Sequence, residues 1–128
     1  DGEEAFKAVI RLNPEAAPAY YNIGITYTKL ERFKDAIEAY QQVIRINPDF
    51  APAHHNLGVI YDKLGQSAQA MEAYRQAIRI DPEFTPAHYN IGYAYLQKGN
   101  KAAALEEYKI LKSLDEAAAQ KLFEQIYR

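Results

Sequence analysis

A self-match at 34 residues constrains this chain more than any other feature of its sequence. Sliding the 128 residues along themselves at that offset gives three consecutive units, 13–46, 47–80 and 81–114. The first and second agree at 18 of 34 positions and the second and third at 13, with nine positions identical in all three. A unit this short cannot bury its own apolar face, so the units must stack and cover one another, each touching mainly its neighbours.

Within each unit the apolar residues recur at three- and four-residue spacing, first in one run and then in a second. In the first unit the runs are Ala19, Tyr20, Ile23, Tyr27, Leu30 and then Phe33, Ala36, Ile37, Tyr40, Ile44. Each unit therefore reads as two helices of about 13 residues, roughly 20 Å long. Pro18, Pro52 and Pro86 open the first helices, where a missing N–H has no helical partner to lose. The second helix of the first unit stops at Asn47-Pro48. The second unit breaks at Gly65-Gln66-Ser67 and the third at Gly99-Asn100, which reads as a C-terminal glycine followed by a Ser or Asn cap for the next helix. Glu31 stands where the later units have glycine, and a strained turn is expected there. Gly24, Gly58 and Gly92 fall inside helices, at a cost of about 1 kcal/mol each relative to alanine. Close helix approach explains them: Tyr40, Tyr74 and Tyr108 of the paired helix would lie against these glycines, with Ala36, Ala70 and Ala104 doing the same from the other side.

The order Tyr20-x2-Ile23-Gly24-x2-Tyr27, then Ala36-x3-Tyr40, then Pro48 resembles the tetratricopeptide repeat. The second and third units carry the same order from His54 to Pro82 and from His88 to Tyr108. Tyr20, His54 and His88 replace the family's Trp, and Glu116 replaces its last Pro. The resemblance implies an all-α fold, a right-handed superhelical solenoid of antiparallel helix pairs spanning residues 1–128 as one domain. Residues 1–12 (Phe6, Val9, Ile10, Leu12) match the second helix of a partial repeat, so the native chain is expected to continue N-terminally. The chain opens at Asp1 without an initiator Met or a signal-peptide pattern and reads as an excised or processed piece. Residues 115–128 align with a first helix, but Ile126 takes the glycine position and Lys121, Glu124, Gln125 and Arg128 supply a polar face. A capping helix is expected there.

On each first helix a second stripe faces away from the paired helix: Tyr21, Ile25, Thr28; His55, Val59, Asp62; Tyr89, Tyr93, Leu96. Phe123 and Tyr127 continue it. The resemblance places this stripe on the concave face, where family members bind peptides; packing between repeats is the competing reading. Asn22, Asn56 and Asn90 flank it in register. Similar amide ladders in long members of the family hold the backbone of an extended peptide, and hydrogen bonds to the neighbouring repeat are the alternative. The candidate peptide-binding residues are therefore Tyr21, Asn22, Ile25, His55, Asn56, Val59, Tyr89, Asn90, Tyr93 and Leu96. Another family mode clamps a C-terminal carboxylate with Lys, Asn, Asn, Lys and Arg. This chain has Tyr21, Ile25, Asn56, Pro86 and Asn90 at those places, and only Asn56 matches.

Other functions find little support. Fifteen basic against seventeen acidic residues leave a charge of −2, so no global field draws in nucleic acid or an anionic membrane. Lys29 and Lys63 are the groove's evident cations, although its tyrosines could stack on bases. The longest apolar run, from Ile91 to Leu96, is far too short to span a bilayer. The absence of cysteine removes disulfides, thiol catalysis and Cys-type zinc sites and leaves the compartment open. Ser67, Ser113, Thr26, Thr28 and Thr85 lie in no nucleophile-elbow context, and no phosphate-cradling glycine loop is present. His54 and His88 sit on different helices, roughly 8–10 Å apart by ordinary helix packing, and His55 points elsewhere. No Asp or Glu recurs beside them, so no metal or cofactor is expected and they read as core histidines with a polar tip. Glu38, Glu72 and Glu106, with Arg75 and Lys109 three residues on, read as solvated faces. The expected function is a non-catalytic protein–protein interaction scaffold that takes an extended peptide. The alternatives are a self-association module, giving a homo-oligomer, or the recruiting arm of an enzyme whose catalytic domain lies elsewhere.

Overall fold

The computed structural model describes residues 16–128. The partial repeat expected over 1–12 and the opening of the first unit lie outside the described residues. From there the chain is seven α-helices: α1 (Ala17–Lys29), α2 (Phe33–Ile46), α3 (Ala51–Lys63), α4 (Ser67–Ile80), α5 (Thr85–Gln97), α6 (Lys101–Leu114) and α7 (Glu116–Ile126). Strands are absent among the described residues. The helices pair as α1–α2, α3–α4 and α5–α6, with α2 packing on α3, α4 on α5, and α7 on both α5 and α6. This is the expected all-α solenoid.

The turn inside each unit is the same Schellman-type stop. The N–H groups of Arg32, Gln66 and Asn100 donate to the carbonyls of Tyr27, Tyr61 and Tyr95 at 2.9, 2.8 and 2.8 Å. That closure requires one left-handed residue just before the donor. Gly65 and Gly99 supply it at φ 77° and 76°, and Glu31 adopts it at φ 58°. A side chain in this region carries a penalty of roughly 1 kcal/mol, as expected from the sequence. Glu31→Gly should therefore stabilise the fold by about 1 kcal/mol, seen as a melting point several degrees higher. An unchanged or lowered melting point would show that the turn bears no strain.

One capping expectation is corrected. The turn leaves a single residue between the glycine and the next helix, so the cap position is Gln66 or Asn100. Ser67 falls one residue late, inside α4, and Gln66 makes no side-chain cap. Asn100 does cap, its Oδ1 accepting from the Ala103 N–H at 3.1 Å. Asp115 caps α7 in the same way through Ala118 at 3.2 Å. Between units, Asn47 and Asp81 fold the loop by accepting the N–H of Asp49 and Glu83 through their side chains, at 3.3 and 3.1 Å. This local turn delivers Phe50 and Phe84 to the start of α3 and α5.

Among the described residues the core falls into three clusters along the stack, and residues of one unit close the cluster of the one before, as Ala53, Leu57 and Ile60 do for the first and Ala87 and Ile91 for the second. Tyr20, Tyr40, Tyr74, Ile60, Val43 and Leu111 are almost wholly buried. Ala36, Ala70 and Ala104 are buried at 0, 1 and 0% exposure, which permits the helices to approach. A Cβ at Gly24 would lie 2.6 Å from Tyr40 Cε1, and one at Gly58 would lie 2.5 Å from Tyr74 Cε1. The close-approach reading holds at these two positions. At Gly92 the partner is different: Leu122 Cδ2 of α7 lies at 2.7 Å and Glu107 Cβ at 3.3 Å, not Tyr108. Tyr108 is only half-buried and packs on Phe123, ring centroids 5.4 Å apart. The Tyr74 hydroxyl donates to Asp62, at the third position of the stripe. Leu96 stands at the matching place in the third unit and offers Tyr108 no such partner.

At the far end α7 buries Ala119, Leu122 and Ile126 against Leu111 and Ala104. Lys121, Glu124 and Arg128 are exposed and Gln125 half-buried. Phe123 and Tyr127 are exposed beside them, at 37 and 53%.

Candidate peptide groove

The first helices α1, α3 and α5 carry the stripe residues, and the three positions of the stripe behave differently. The first position turns inward. Tyr21 packs edge-on against Phe50, centroids 5.1 Å apart, and lies 5.9 Å from Tyr40. His55 repeats this arrangement between Tyr74 and Phe84 at 5.5 and 5.3 Å, and is only 8% exposed. Burial holds its pKa down at about 4, so the ring is neutral near pH 7. Tyr21 and His55 thus bind consecutive units together. Tyr89 lacks the aromatic cover because Ala118 stands where Phe50 and Phe84 stand earlier. It is half-buried, with the Lys121 ammonium 5.7 Å from its ring centroid. Burial, and then the neighbouring Tyr93, raise its hydroxyl pKa, while Arg128 lowers it.

The second and third positions face open space. Ile25, Val59 and Leu96 are half-buried and Tyr93 is 40% exposed. Ile25, Thr28, Lys29, Tyr40, Asn56 and Val59 line a cavity of about 210 Å³ between α1 and α3. Asp62, Ser67, Tyr93, Ala94, Gln97 and Lys98 line another of about 320 Å³ between α3 and α5. Asn22 is exposed and lines a third, about 250 Å³, with Tyr21 and Phe50.

The asparagines bridge units. Asn56 Nδ2 donates to the hydroxyls of Tyr21 and Tyr40 at 3.2 and 3.4 Å, and Asn90 Nδ2 lies 3.5 Å from His55 Nε2. The neighbour-bonding alternative therefore describes the N–H groups of Asn56 and Asn90. Neither side-chain carbonyl is engaged by a described residue.

Two polar arrangements were not legible in the helical pattern. His88 is 4% exposed, with Nε2 2.7 Å from the Pro82 carbonyl and Nδ1 3.0 Å from Glu107 Oε1. A carboxylate thus stands beside His88 but does not recur at His54, in keeping with the absence of a recurring acidic residue. The available signal was a break in the repeat: Glu107 replaces Ala39 and Ala73 of the earlier units. His54 keeps only the carbonyl partner, Pro48, at 3.0 Å. The second arrangement is Tyr74 donating to Asp62 Oδ2 at 2.7 Å. The outward glutamates behave as expected from their spacing: Glu106 and Lys109 meet at 3.2 Å, both 70% exposed. No helix among the described residues is long and apolar enough to cross a membrane.

Tetratricopeptide repeat family models match residues 17–50, 39–72, 60–99 and 85–118. The chain belongs to the tetratricopeptide repeat family. Among solved structures, the tetratricopeptide chain is similar to a crystal structure of MamA at 32% identity and TM-score 0.77, over 96% of this chain and 67% of that one. A second MamA crystal structure matches at 33% and 0.74, over 98% of this chain and 64% of that one. This chain thus spans about two thirds of the MamA chains. The fold is also that of the first such domain of Spaghetti (RPAP3), solved bound to the HSP90 peptide SRMEEVD. That match has 20% identity and TM-score 0.79 and covers 87% of this chain and 90% of the other. No curated protein gives a significant sequence match. Repeats of this family form a protein-interaction fold.

Proposed function

We propose that the chain is a non-catalytic protein–protein interaction scaffold that binds an extended, largely apolar or neutral peptide along its first helices. The observation that carries this reading is the pair of cavities, about 210 and 320 Å³, set in consecutive inter-unit positions beneath Ile25, Val59 and Tyr93. Pockets for side chains separated by backbone-binding groups are what an extended peptide requires. The carbonyl oxygens of Asn56 and Asn90 supply acceptors for peptide N–H groups. Tyr89, Tyr93 and Leu96 would hold side chains at the third unit, with Asn22 at the opposite end of the ladder. Tyr21 and His55 support the wall from behind.

The Spaghetti domain, solved with a peptide bound, supports this reading, but an acidic chaperone tail is not the ligand this groove suits. Of the five clamp positions only Asn56 matches, and its N–H groups are already committed to Tyr21 and Tyr40.

Random linear peptides selected on the domain by phage display test the proposal. Ile25→Glu combined with Val59→Glu should weaken the selected peptides tenfold or more, since a carboxylate in an apolar pocket costs more than 1 kcal/mol. Glu38→Ala with Glu72→Ala, on the outer face, should leave affinity unchanged. Far-UV circular dichroism checks that both variants keep their helices. Equal binding to both would place the peptide site away from the groove.

A further inference from the structure

We infer that the cavity between α3 and α5 is a subsite for one cationic side chain, a lysine or arginine, of the bound peptide, with Asp62 as its counter-charge; this rests on the peptide-groove reading above. Asp62 is the single carboxylate of the stripe, because Thr28 and Leu96 stand at the matching places in the other units. Its side chain is exposed, yet its orientation is set from within the core. Tyr74, 1% exposed, donates to its Oδ2 at 2.7 Å. Burial, reinforced by the bond to Asp62, pushes the Tyr74 hydroxyl far up, so it remains a donor at every ordinary pH. The carboxylate is thus a fixed acceptor rather than a swinging surface group, and less ordering is needed when a cation arrives.

Among the described residues no cation pairs with it. Arg32–Asp35, Lys109–Glu106 and the His88–Glu107 contact all lie elsewhere, and none reaches Asp62 within 4.0 Å. Lys98 lines the same cavity without pairing to it. The same cavity is lined by Tyr93, 40% exposed, whose ring attracts a cation through its quadrupole. Gln97 and Ser67 add hydrogen-bonding groups for the remaining N–H donors of an ammonium or guanidinium. The adjacent cavity differs in kind. Ile25, Val59, Thr28 and Asn56 present no carboxylate, so it suits an apolar or neutral side chain. The groove would then read a cationic residue at one position and a neutral one at the next.

The test selects random linear peptides separately on the wild-type protein and on Asp62→Asn. The asparagine keeps an acceptor for the Tyr74 hydroxyl, so the melting point should stay close to wild type. The wild-type pool should be enriched in Lys or Arg at one position. Replacing that residue by Gln in a resynthesised peptide should weaken binding to wild type about five- to tenfold. Asp62→Asn should bind the cationic and Gln peptides equally, with wild-type affinity for the Gln form. The inference falls if the wild-type pool has no cationic position, or if the preference survives in Asp62→Asn. If the peptides also bind the Ile25→Glu/Val59→Glu protein undiminished, the groove reading fails and this one with it.

Discussion

Gly58→Leu is expected to destabilise the protein by about 3 kcal/mol or more, at or beyond the upper end of overpacking in a dense core. A Cβ at this position would stand 2.5 Å from Tyr74 Cε1, 2.7 Å from Cδ1 and 3.0 Å from Cζ. The ring has little room to retreat. It is 1% exposed, its hydroxyl is bonded to Asp62, and His55 packs on it with centroids 5.5 Å apart. Displacing it would break that bond and loosen the wall of the groove together. Gly92→Ala should be milder, because its nearest contact is a terminal methyl of Leu122, which can move by rotation. Urea denaturation gives the comparison directly. A Gly58→Leu midpoint equal to wild type would remove close approach as the reason for the helical glycines. Recovery of stability when Tyr74→Leu is added to Gly58→Ala would locate the clash in the ring.

The second large effect is expected at the other end of the stack. Deleting residues 115–128 removes Leu122 at 0% exposure and Ile126 at 8%, and uncovers Leu111 and Ala104, both at 0%. Burying two large aliphatic side chains contributes about 3–6 kcal/mol, a large part of the roughly 5–15 kcal/mol that holds a typical domain. In a stack stabilised by neighbour contacts the loss should concentrate in the third unit. α5 and α6 should exchange their amide hydrogens much faster, and the truncated protein should self-associate through the bared face. Leu122→Ala alone should cost about 2–5 kcal/mol. A truncated protein that stays monomeric and melts like wild type would show that α7 is not needed to close the stack.

The difference between units explains how far the groove could be read from the chain. Ile25, Val59 and Tyr93 share a register position, and the structure sets all three along the open side. Tyr21, His55 and Tyr89 share another, but whether that side chain faces a ligand or the interior depends on Phe50, Phe84 or Ala118, a residue 29 positions later at the start of the next unit's first helix. Helical periodicity contains no information about that contact. The same limit applies to Gly92, whose neighbour changes from a tyrosine of its own unit to Leu122 of α7. Asp62 and Glu107 were visible only as departures from the repeat, and their partners Tyr74 and His88 lie 12 and 19 residues away.

Read alone, the 34-residue period sufficed for the helix pairs, the strained turn at Glu31 and the close approach at Gly24 and Gly58, and the family resemblance added their antiparallel stacking. These follow from interactions spanning one helical turn or one helix pair, set in places that recur along the chain. Only the tertiary structure decided that His55 is buried and neutral, that Asn56 and Asn90 spend their N–H groups on the preceding unit, and that Tyr74 holds the Asp62 carboxylate. Those outcomes depend on which side chains meet across helix boundaries. A substitution in one unit changes such a meeting without disturbing the helical pattern of either partner.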